Sequence, residues 1–208
     1  MVSIEKWLPL VFLGIPTVPD PVARQYISLV ANDFANKTFA CQRVIRLDVE
    51  EGVEDYYFED QLSESEELLA LLDHTYGRYP RVTNDSPTCS GCTLWCGGLS
   101  LTYDPKDYSV RFPSPPSESY PGGLRLTIAV SPTPDAQEVD DILWTIHSQA
   151  ILHGVQEKLY ALPNYPWSSL AYSRAQGAAY AAKVNAGKLM SIMDRTATPV
   201  RMRRKGAL

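Results

Sequence analysis

Leu162-Pro163-Asn164-Tyr165-Pro166-Trp167-Ser168-Ser169 sits between two helical patterns and divides them. Pro163 and Pro166 each remove a backbone donor and fix φ, so no helix runs through this stretch. Upstream, Val139, Ile142, Leu143, Ile146 and Ala150 recur on one face, and Trp144, Ile151, Val155, Leu159 and Leu162 on another. That periodicity predicts one long helix from about Val139 to Leu162, buried on both sides. Downstream, Ser168 or Ser169 is placed to cap a last long helix. Its stripe of Ala171, Ala175, Ala178, Ala182, Ala186, Leu189 and Met193 predicts close helix–helix contact on that face. Pro163, Tyr165, Pro166 and Trp167 then form the packing corner of a helical pair.

Past Asp194 the composition changes. The segment 195–208 carries Arg195, Arg201, Arg203, Arg204 and Lys205 and no acidic residue. The 208-residue chain has a net charge of −5, so removing the segment's +5 leaves −10 for residues 1–194. An anionic body is a poor coat for nucleic acid, and only this basic extension has the composition for phosphate contact. Arginine forks match carboxylates bidentately, which favours docking on an acidic protein partner over DNA contact or a solubilising end.

Working back from the corner, Asp20 reads as an N-cap and Pro21 as the first helical residue. Ala23, Ile27, Val30 and Phe34 then recur at helical spacing up to a stop at Asn36-Lys37-Thr38. Val44, Leu47 and Val49, the turn Glu50-Glu51-Gly52, and Val53, Tyr56 and Phe58 predict an antiparallel hairpin. Ser63 to Leu72 predicts a short helix, with Ser63 as cap and Glu66 three residues on. Strands are expected at Thr93 to Cys96, Leu99 to Tyr103, Tyr108 to Phe112 and, by clean alternation, Leu124 to Val130.

The fold class is α+β: a helical domain from both chain ends (1–40 and 131–194) and a β-rich insert (41–130), a hairpin, small sandwich or barrel. The apolar run Trp7 to Val18 is preceded by Glu5 and interrupted by Pro9, Gly14 and Pro16. It reads as neither signal peptide nor membrane span, and the expectation is a soluble protein made in a cytoplasm.

Cys41, Cys89, Cys92 and Cys96 are expected as thiols, with a disulfide outside the cell as one alternative. Cys89, Cys92 and Cys96, with His74 or Cys41 as a fourth ligand, form the one metal-like cluster, but the second CxxC pair of a structural zinc site is missing. No metal and no cofactor is assigned. His147 and His153 stand six residues apart and read as buried or interfacial helix residues. No nucleophile elbow, phosphate loop or dinucleotide fingerprint occurs.

Three stretches together resemble the head-to-tail adaptor, or connector, family of tailed bacteriophages, of the short-tailed kind. They are Trp7-Leu8-Pro9 through Val18-Pro19-Asp20 into the following helix, Arg46 to Tyr56, and Ile142 to Ser169 with its proline-aromatic corner. The terminal Pro199-Val200-Arg201-Met202-Arg203-Arg204 is similar too. The resemblance implies a non-enzymatic virion protein forming a homo-oligomeric ring of about a dozen copies between the portal and the tail. Its partners would be the portal protein, a tail tube or nozzle protein, and other copies of itself. Genomic DNA would pass the lumen without specific binding, and no membrane is involved. The location implied is the head–tail junction of the virion, with assembly in the host cytoplasm. Two other classes stay open: a virion-associated cell-wall hydrolase, and a small zinc-binding regulatory module on the cysteine cluster.

Overall fold

The computed structural model describes residues 1–76, 93–96 and 99–196, with side chains over 1–76 and 101–193. In chain order the elements are β1 (Val2–Ser3), α1 (Leu8–Gly14), α2 (Asp20–Thr38), β2 (Gln42–Val49), β3 (Asp55–Tyr57) and β4 (Glu66–Tyr76). There follow β5 (Thr93–Cys96), β6 (Leu99–Asp104), β7 (Ser109–Arg111), β8 (Tyr120–Pro132) and β9 (Glu138–Val139). The chain closes with α3 (Asp141–Thr145), α4 (Ser148–Ala161) and α5 (Leu170–Thr196). Helix makes up 45% and sheet 27%, with helices at both ends and strands between, which is an α+β class without a closed barrel among the described residues. Among those residues no helix is long and apolar enough to cross a membrane.

Helix α2 buries Ala23, Ile27, Val30 and Phe34, the stripe its spacing predicts. Its start differs in detail: Pro19 is the N-cap, and the Asp20 carboxylate pairs with Arg24 one turn on instead of capping. Thr38 ends the helix as expected, followed by Phe39 in the left-handed region at φ 52°. One face of α2 lies on the three-stranded sheet β2-β8-β4, where β8 is central and both neighbours run antiparallel to it. Leu124, Leu126, Ile128 and Val130 of β8 are buried, so the alternation read from the sequence is the core face. A second sheet, β3-β7-β6-β5, carries Tyr56, Tyr103, Val110 and Phe112 inward.

Three local expectations are corrected. The segment from Glu66 is the strand β4, not a helix. Ala70, Leu71 and Leu72 are all buried there, and a strand covered on both faces gives the same apolar run as a helix. The Ser63–Glu66 contact does form: the carboxylate accepts from Ser63 Oγ at 2.9 Å and from its N–H at 3.4 Å. It closes the turn into a strand, and the same carboxylate, almost wholly buried, pairs with Arg43 of β2.

The predicted hairpin also dissolves. Strands β2 and β3 exist, but β2 pairs with β8 and β3 with β7. The Tyr56 hydroxyl accepts from the Glu50 N–H at 3.1 Å and faces the Glu50 and Val53 carbonyls at 3.1 and 3.0 Å. That knot turns the chain out of the first sheet at Gly52 (φ 81°) and delivers it to the second.

Finally, the long helix is two helices, α3 and α4, broken at Ile146-His147. Asp140 caps α3 through the Ile142 N–H at 3.0 Å, and the His147 ring turns inward against Phe34 at 4.8 Å. Trp7, fully buried edge-on against Trp144, donates its indole N–H to the Ser148 carbonyl at 3.3 Å. Both ties require a change of direction at the break.

Helix α4 threads between α2 and α5 at Gly154. A Cβ there would meet Val30 Cγ1 at 2.6 Å and the Tyr180 ring at 3.1 Å. Gly154→Ala is expected to destabilise by about 1–3 kcal/mol in urea unfolding, because neither neighbour has room to withdraw. His74 of β4 is buried, which lowers its pKa from 6.5 to about 4. The unfolded ring takes a proton first, so stability is complete above about pH 6.5 and falls towards pH 4, by at most roughly 1.4 kcal/mol per pH unit. His74→Leu should flatten that slope in unfolding series across the same window; burial lowers the His147 pKa too, leaving a residue of slope.

Candidate docking surface

The corner between α4 and α5 is built as its prolines dictate. Leu162, ahead of Pro163, is extended (ψ 120°) and ends α4. Asn164 takes the left-handed region at φ 66°. The Ser169 N–H then donates to the Tyr160 carbonyl at 2.9 Å, satisfying an acceptor that the helix end leaves open. Ser169 begins α5 as expected, its hydroxyl accepting from the Tyr172 N–H at 3.4 Å. The Tyr165 and Trp167 rings stack at 4.6 Å with 19° between planes, and Tyr160 lies 5.4 Å from Tyr172. Tyr160 also donates to the Gly14 carbonyl at 3.3 Å, tying the corner to α1.

The inward face of α5 corrects the expected stripe. Ser173, Tyr180, Val184, Gly187 and Ser191 are buried, while Ala171, Ala175, Ala178, Ala182, Ala186, Leu189 and Met193 are exposed. Both faces of this helix are rich in small residues, and the glycines decide between them. A Cβ at Gly187 would stand 3.0 Å from the Phe34 ring and one at Gly177 3.1 Å from Glu157, closer than alanine allows without displacement. Tyr180 locks the choice by donating to Asp33 Oδ2 at 2.7 Å, while Lys37 pairs with the same oxygen at 2.7 Å and lies over the Tyr180 ring. Burial, and then that carboxylate, push the Tyr180 pKa up.

The alanine face therefore points outward. At its ends stand Leu170 and Tyr172, each 62% exposed, and Leu189, 59% exposed. From Leu170 to Met193 the helix carries Arg174, Lys183 and Lys188 and no carboxylate. A face that is apolar along its axis and cationic at its margins is suited to an acidic, partly apolar partner surface. No family model matches the chain, and no curated protein matches it.

The residues singled out in the sequence fall unevenly on this surface. Pro163, Tyr165, Pro166 and Trp167 come together at the head of α5, with Tyr165 exposed and Trp167 partly buried. Arg195 lies in the last turn of α5, its side chain outside the described residues, as are Arg201, Arg203, Arg204 and Lys205 altogether. Cys89 and Cys92 are outside them too, and of Cys96 only its place in β5 is described. Cys41 is buried, which pushes its thiol pKa up and away from thiolate character. Cys41 lies beside Val130 and His74 beside Leu126, on opposite flanks of β8, so at most one of them could be the fourth ligand. Among the described residues no cluster of His, Cys, Asp and Glu is arranged to hold a metal. His153 joins α4 to α5 through Gln176 Oε1 at 2.6 Å, and His147 is buried beside Phe34.

Tyr172 and Leu170, missed from the sequence, were legible only as apolar residues off the alanine stripe beside the corner. The Trp167 indole nitrogen is buried and finds no hydrogen-bond partner among the described residues. Trp167→Phe removes that donor and is expected to leave the free chain within about 0.5 kcal/mol of its stability in urea. A loss above about 1 kcal/mol would mean that the donor is satisfied in the isolated protein.

Proposed function

We propose that this protein is a structural subunit of a bacteriophage particle, a head-to-tail adaptor seated between portal and tail. About a dozen copies close a ring that extends the DNA channel and offers a platform for the tail tube or nozzle protein. The observation that carries the proposal is the one-sided final helix. Its glycine face is used within the chain, and its outer face, with Leu170, Tyr172 and Leu189 exposed and only cations at its margin, leads straight into the basic segment 195–208. A surface of this composition on the last element of an otherwise anionic chain suits permanent docking on an acidic ring better than diffusion as a free enzyme. The resemblance of the corner and of the N-terminal segment to the adaptor family supplies the identity of that ring as the portal. Asp and Glu of the body would line the lumen and repel the passing duplex.

The test is to mix the purified chain with portal rings and look for a stoichiometric collar by electron microscopy. Tyr172→Glu with Leu189→Glu places two carboxylates on the docking face and is expected to weaken collar formation by about 2 kcal/mol or more. Alanine at Arg201, Arg203 and Arg204 together is expected to yield DNA-filled heads without tails. Normal tailed particles from that triple variant would remove the basic segment from the role.

A further inference from the structure

The break between α3 and α4 leaves a second feature beside the docking face, with Lys183 and Ala186 of α5 among its walls. The first backbone bond of α4 runs from the Ile151 N–H to the His147 carbonyl at 3.1 Å. The N–H groups of Ser148, Gln149 and Ala150 therefore have no intrahelical acceptor, and His147 offers no side-chain cap. They border a cavity of about 320 Å³ between the start of α4 and the middle of α5, walled by Thr145, His147, Ser148, Gln149, Lys183 and Met190 among others. That volume lies at the lower end of small-ligand sites, roughly 300–1,000 Å³.

Two further features make this more than a helix end. His147 is only 8% exposed, lies tilted against the Phe34 ring, and among the described residues finds no hydrogen-bond partner for either ring nitrogen although it lines the cavity. Its ring nitrogens are not sealed in the core and so stay open to a ligand in the cavity. Across the mouth, the Lys183 ammonium is held 3.3 Å from Gln149 Oε1. Among the described residues no carboxylate lines the cavity to neutralise the lysine charge. The positive end of the α4 dipole points at the same space.

We infer that this cavity is a site for inorganic phosphate, with the Ser148, Gln149 and Ala150 N–H groups, the Ser148 hydroxyl and a His147 ring N–H as donors and Lys183 as counter-charge. These donors come from His147 and the first turn of α4, the counter-charge comes from α5, and all of these residues line one cavity. Lys183 comes from α5 and the amides from α4, so the bound ion bridges the two helices. The site is complete in the free chain, so the inference stands whether or not the ring docks as proposed.

The experiment is a titration of the full-length chain with inorganic phosphate, followed by amide shifts of Ser148, Gln149 and Ala150 and by the His147 ring resonances. Potassium chloride at matched ionic strength is the parallel arm. The expected result is saturable shifts centred on these residues with phosphate and not with chloride. Lys183→Gln, a surface change that leaves the fold intact, is expected to weaken binding about tenfold or more. His147→Phe, which keeps the contact with Phe34, should weaken it by about fivefold through loss of one donor. Shifts that chloride reproduces, or an affinity unchanged in Lys183→Gln, would overturn the site.

Discussion

The outward face of α5 follows from how closely α4 approaches its two neighbours. Gly154 lets the backbone of α4 sit against Val30 of α2 and the Tyr180 ring of α5 with no Cβ between them. Once α4 is that close, α5 has one face to offer it, the row Ser173, Gly177, Tyr180, Val184 and Gly187. Tyr180 then reaches past α4 to Asp33 of α2 and fixes the rotation of α5 about its own axis. The alanine row, half a turn away, has no choice but to face out. The packing rule that small residues permit close approach holds here, but glycine outranks alanine because interiors do not yield by a methyl group without cost.

The sheets are subordinate to the same frame. Strand β8 is central because its alternate residues Leu124, Leu126 and Ile128 bury completely beside α2, and β2 and β4 complete its hydrogen bonds on either side. The pair of Arg43 and the buried Glu66 carboxylate closes the sheet at one end. Its value is in geometry more than in net stability, since the carboxylate gives up its hydration to be there while Arg43 stays partly in water. With β2 and β4 both engaged on β8, the Tyr56 knot sends the intervening chain to the second sheet.

What the sequence disclosed and what it hid have physical reasons. Helix α2 and strand β8 were legible because each buries one face and exposes the other, so period and burial coincide. The corner was legible because proline chemistry is local. Strand β4 was misread because Leu68, Leu69, Leu71 and Leu72 satisfy a helical and a doubly buried strand pattern alike, and Ser63 with Glu66 makes the same hydrogen bonds before either. The partners of β2 and β3 are contributed by residues more than fifty positions away, which no local turn signal reports. The face of α5 was inverted because alanine and glycine look equally small in a periodicity count. The cavity at Ser148 was hidden by reading α3 and α4 as one helix, which erased the helix start that creates it.

The central claim is that α5 presents its glycine side to the subunit and its alanine side to a partner ring. Hydroxyl-radical footprinting of Tyr172, Leu189 and Met193, set against buried Tyr180 and Val184, addresses it directly. The account predicts that the first group is oxidised in the free chain and protected once portal rings are added, while Tyr180 and Val184 stay protected throughout. Equal oxidation of Tyr172, Leu189 and Met193 with and without the rings, or ready oxidation of Val184 in the free chain, would contradict it.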